Sequence, residues 1–136
     1  MKTLLLPFYD DDAAQCAFEI STQIVRQMNG YLEGLFVMRP PQMIDSEGIV
    51  LADSYFTQLK DEGRRVADRA QARFEACAAA QGLAIEAVSA SKGPAAGWRE
   101  LEGLEGRVVG DRGRLFDLIV VGARVRAPLG GLARDR

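Results

Sequence analysis

Three consecutive aspartates, Asp10, Asp11 and Asp12, follow a short apolar segment near the amino terminus. Paired acids after the first strand of a doubly wound sheet could hold magnesium. A site of that kind also needs an acid ending the third strand, and Val88-Ser89-Ala90 has none. Consecutive acids on a turn point in different directions, whereas acidic side chains suit the positive end of a helix dipole. The cluster therefore reads as a helix cap, with Asp12 and Gln15 as reciprocal partners, and no metal site is expected. The chain has no histidine, which excludes Ser-His-Asp and Cys-His catalysis and histidine-ligated metals. Cys16 and Cys77 lie in expected helices at no metal-binding spacing. They read as reduced core residues of a cytoplasmic protein.

Gly122 is the second chemical candidate. It ends the unbroken apolar run Leu118-Ile119-Val120-Val121, which reads as a strand buried on both faces. A turn at the carboxyl end of such a strand is where open α/β sheets bind ligands. No Gly-Lys-Ser or Gly-Lys-Thr follows, so this is not a Walker phosphate loop. Only one glycine of a dinucleotide fingerprint is in place. Tyr9, ending the first strand, borders any pocket there. Trp98 reads either as a lid over the cleft or as core.

The elements that must position these residues follow from patterning. Thr3 to Phe8 and Tyr31 to Met38 read as strands, and the helix between them runs to about Met28. Ala13, Cys16, Ala17, Ile20, Ile24 and Met28 fall on one face of that helix. A second, long helix is expected from about Ile49 to Ala80, after a loop over residues 40–48. Leu83 to Ala90 reads as a third strand near an edge, followed by a small-residue loop, Ser91 to Gly97. A third helix is expected from Trp98 to Leu115, although its four glycines each cost roughly 1 kcal/mol against alanine. The strand ending at Gly122 comes last. Helices between every pair of strands imply an open parallel sheet with helices on both faces.

The 136 residues suffice for one domain with a core, placed at 1–122. Residues 123–136 hold four arginines and no apolar run. They read as a tail or truncated end, with a basic phosphate-binding segment as the sharper alternative. The net charge of −2 gives no general pull toward nucleic acid or anionic membrane. No stretch is long and apolar enough to suggest a signal peptide or a membrane span.

Leu4-Leu5-Leu6-Pro7, the strand Leu32-Glu33-Gly34-Leu35-Phe36-Val37, the long helix and Asp117-Leu118-Ile119-Val120-Val121-Gly122 together resemble the universal stress protein family. The stretch Gly97 to Gly103 is most similar to the first half of tandem, two-domain bacterial members. The resemblance implies strand order 3-2-1-4-5, with a cleft at the ends of strands one and four. The fifth strand has no readable counterpart here, so the expected order is 3-2-1-4 with the fifth missing or supplied elsewhere. Some members bind ATP in that cleft, and the resemblance then implicates Pro7, Tyr9, Asp10, Val37 and Gly122. Two departures are visible. Tyr9 stands where those members carry an aspartate, with Asp10 displaced by one. Of their glycine pattern after strand four only Gly122 survives, later positions holding Val125, Asp135 and Arg136. The expectation is a binding or interaction module of the stress response. It is not an enzyme, is impaired in ATP binding and uses no cofactor. The alternative is an ATP- or AMP-binding member that uses Asp10. A hydrolase-like enzyme of the wider adenine-nucleotide group would show a Ser-Gly-Gly-x-Asp-Ser loop or a histidine signature, and neither is present. The expected partner is a second copy, in a homodimer, or a second domain of the same family.

Overall fold

The computed structural model describes residues 3–39, 53–85 and 94–122. In chain order these form β1 (Thr3–Pro7), α1 (Asp12–Met28), β2 (Tyr31–Met38), α2 (Asp53–Ala80), β3 (Ala84–Ile85), β4 (Ala95–Glu102), α3 (Glu105–Gly113) and β5 (Leu118–Ile119). Every strand pair is parallel, in the order β3-β4-β2-β1-β5. The open parallel α/β sheet expected from the sequence is what the chain forms, with β1 between β2 and the last strand.

Side-chain alternation along β1 and β2 builds a core on each face. Leu4, Leu6, Phe8 and Leu32 pack with Phe18 of α1 and Phe74 of α2. Leu5, Leu35 and Val37 face the other way, toward Val108 and Val109 of α3. Helix α2 comes so close to β2 that a Cβ on Gly34 would lie 2.4 Å from the Phe74 ring. Glu33 points to the α3 face and is almost fully buried. Arg112 reaches from α3 to grip it with two hydrogen bonds, of 2.8 and 2.9 Å, and Arg99 of β4 adds an ion pair at 3.5 Å. The Glu33 bond holds the Arg112 guanidinium above its usual pKa.

Three expectations need correction. Residues 95–102 are a strand beside β2, not a loop running into a helix. The strand expected at 83–90 contributes only Ala84–Ile85 within the described residues, and these lie one place further out. The order is therefore not a simple 3-2-1-4. Trp98, Leu101, Leu104 and Val108 satisfy helical spacing, which hid the alternation of Trp98 and Glu100 against Arg99 and Leu101. The chain breaks at Gly103, whose φ of +147° few other residues adopt, so α3 starts only at Glu105.

Second, α1 buries Ala14, Ala17, Phe18, Ser21, Thr22 and Val25, a stripe rotated from the one read off the sequence. Ile20 and Cys16 are exposed, so Cys16 is not a core residue. Phe18 sets the rotation: its ring meets Phe8 at 6.1 Å and Phe74 at 5.2 Å, both edge-on. Thr22 is tolerated inside because its hydroxyl donates to the Phe18 carbonyl.

Third, the cap of α1 is Asp11 rather than Asp12. Its carboxylate accepts from the Ala14 amide at 2.7 Å. The other end closes on Asn29 in the left-handed conformation. The loop over 40–48 and the tail at 123–136 lie outside the described residues.

Candidate functional site

The carboxyl ends of β1 and β5 border a cleft of about 260 Å³. Pro7 lines it from the end of β1, Tyr9 and Asp11 from the turn that follows, Ala13 and Ala14 from α1, Glu105 from α3, and Val121 with Gly122 from the segment after β5. Three of the sequence-nominated residues, Pro7, Tyr9 and Gly122, thus come together. Gly122 is needed there for space, since a Cβ would sit 2.9 Å from the Ala13 carbonyl oxygen.

The other two go elsewhere. Asp10 turns onto α2, where it pairs with Arg73 at 3.1 Å and, more loosely, with Arg69 at 3.9 Å. Arg73 also takes Asp12 at 2.7 Å and donates to the Gln15 side chain, tying the turn to α2. These bonds hold the Arg73 guanidinium above its usual pKa, the bond to Asp12 contributing most. Val37 is packed in the core with Leu5 and Leu35 and does not reach the cleft. Trp98 belongs to the core as well, 5.1 Å from Phe74 and 6.1 Å from Phe8.

Tyr9 bridges the cleft. Its ring lies against Phe36 at 5.3 Å, and its hydroxyl donates to Glu105 at 2.8 Å. Sequence reasoning missed Glu105, although an acid opening a helix is a readable signal. Among the described residues the lining carries two carboxylates, Asp11 and Glu105, and no lysine or arginine. A triphosphate placed there meets like charge.

A second cavity of about 220 Å³ opens between α2 and the ends of β2 and β4. Met38, Leu59 and Gly63 form its wall, with Arg39, Lys60 and Arg64 as cations and Glu102 as its acid. Arg64 is engaged by Glu100 at 2.7 Å and by Asp68 at 2.9 Å. Its hydrogen bond, helped by one from the Trp98 indole, holds the Glu100 carboxyl below the usual range. Sequence reasoning did not single out this cavity, because its residues come from three segments far apart in the chain.

Among the described residues no group of three histidine, cysteine or acidic side chains could hold a metal, and no helix is long and apolar enough to cross a membrane.

No protein-family model and no curated protein matches the sequence. Solved structures do match. Universal stress protein UspA from Lactobacillus plantarum superposes with a TM-score of 0.68 at 19% identity, over 90% of this chain and 77% of that one. A universal stress protein family member from Burkholderia pseudomallei gives 0.52 at 22% identity, over 90% of this chain and 81% of the other. The chain has the universal stress protein fold.

Proposed function

We propose that the protein is a non-catalytic binding and interaction module of the universal stress protein type, acting in a stress response with impaired ATP binding and no cofactor. The acidic lining of the β1/β5 cleft carries this reading. Asp11 is committed to capping α1 and Glu105 to the Tyr9 hydroxyl, so the cleft meets phosphate oxygens with carboxylates. Asp10, the residue available to replace the missing aspartate, is held on Arg73. Calorimetric titration with Mg-ATP tests it. The expected dissociation constant is weaker than about 1 mM, whereas about 1 µM, or roughly −8.2 kcal/mol, would overturn the reading.

The interaction surface we assign is β5. It is the edge strand of the described sheet, and Val121 just beyond it is 70% exposed. An apolar sheet edge invites pairing with another chain, and two-fold pairing is the commonest arrangement. Sedimentation should find a dimer at micromolar concentration, lost in Val121→Lys with circular dichroism unchanged. A monomeric wild-type protein would refute this assignment.

A further inference from the structure

The cavity between α2 and the ends of β2 and β4 has a composition unlike the β1/β5 cleft. Its walls are mostly apolar, from Met38 and Leu59, and three cations stand around it. Among the described residues Arg64 has carboxylate partners, while Arg39 and Lys60 have none within ion-pair distance. The Lys60 ammonium instead lies 5.6 Å from the centre of the Phe56 ring. Two cations are thus available beside an apolar pocket.

Gly63 lines the same place. It sits inside α2, where glycine costs about 1 kcal/mol against alanine. Close packing does not require it there, because a Cβ would meet nothing within 4 Å. Gly34, by contrast, is required by the Phe74 ring. What the absent Gly63 side chain does is leave the cavity open. At about 220 Å³ it falls below the roughly 300–1,000 Å³ of sites for drug-sized ligands.

We propose that this cavity binds a small organic carboxylate, its apolar body against Met38, Leu59 and the gap at Gly63, its charge between Lys60 and Arg39. Charge-assisted bonds to a carboxylate suit both cations. Glu102 in the lining disfavours anions of higher charge such as nucleoside triphosphates. This site is separate from the β1/β5 cleft and stands whether or not ATP binds there.

Phenylacetate is a suitable probe, read by amide chemical shifts of the whole chain, with neutral phenylacetamide as control. Expected are saturable, salt-sensitive shifts confined to the ends of β2 and β4 and the facing turn of α2. Phenylacetamide should bind about tenfold more weakly, as loss of a charge-assisted contact implies. Gly63→Leu fills the cavity from a helix position that favours leucine over glycine, and should abolish the shifts. Lys60→Gln, an exposed change, should weaken binding about tenfold and keeps the test decisive should Gly63→Leu unfold. The proposal is overturned by absence of saturable shifts, by equal binding of the neutral probe, by shifts centred on the β1/β5 cleft, or by a Lys60→Gln protein that binds as wild type.

Discussion

Two cavities open on the carboxyl edge of one sheet, and they carry opposite charge. The β1/β5 cleft is walled by Asp11 and Glu105, the β2/β4 cavity by Arg39, Lys60 and Arg64. The helices explain the difference. Asp11 and Glu105 stand at the amino-terminal ends of α1 and α3, where the helix dipole favours an acid and unpaired amides need a cap. At α1 the Asp11 carboxylate has taken the Ala14 amide. At α3, where no side chain caps the amides, the Glu105 carboxylate stands beside them on the Tyr9 hydroxyl, so both helix starts present an acid to the cleft. The second cavity faces α2 beyond its first turn, where the dipole no longer selects for an acid and Lys60 and Arg64 can stand.

The comparison can be broken most severely through Arg112. Among the described residues Arg112→Ala leaves Glu33 buried with only Arg99 near it, at 3.5 Å. Removing one partner of a buried pair costs about 3 kcal/mol, and α3, which carries Glu105, should lose its seat. Urea denaturation should show the loss, and amide shifts should change around the acidic cleft more than around Lys60. Gly122→Ala comes next, because its methyl must displace the Ala13 carbonyl at 2.9 Å. About 1–2 kcal/mol should be lost, with the disturbance confined to the acidic cleft.

How much of this was legible depends on the kind of signal. β1 and β2 are apolar on nearly every position and declare themselves. The equally apolar run Leu118-Ile119-Val120-Val121, expected as a strand buried on both faces, forms only the two-residue β5 with Ile119 and Val121 exposed, because it lies at the edge of the described sheet. β4 does not: Trp-Arg-Glu-Leu-Glu satisfies a helical spacing and a strand alternation equally, and its partner β2 decides between them. Pro7, Tyr9 and Gly122 were visible as strand ends. The diversion of Asp10 to Arg73 was not, since those residues lie far apart in sequence and meet only when α2 packs over the turn.

Two smaller effects sharpen the contrast. Tyr9→Phe removes the hydroxyl from Glu105 and should cost about 0.5–1 kcal/mol at this exposed position, read by thermal denaturation, while leaving the Lys60 cavity unchanged. On the basic side, the Glu100 carboxyl is lowered in the folded state by its bond to Arg64. A lowered carboxyl stabilises the fold above its unfolded pKa, near 4.3, and that contribution fades as pH falls through the folded value. Glu100→Gln should therefore reduce stability at pH 7 by less than about 1 kcal/mol and flatten the acid side of the stability profile. An unchanged acid slope would show that Arg64 and Glu100 do not couple.

The most direct measurement is a crystal structure of the protein grown in excess Mg-ATP. The expected result is a β1/β5 cleft without nucleotide, with the Tyr9 hydroxyl still on Glu105 and Asp10 still on Arg73. An adenine ring bound between Pro7 and Gly122, with Asp10 turned toward it, would contradict the acidic cleft as a barrier to ATP.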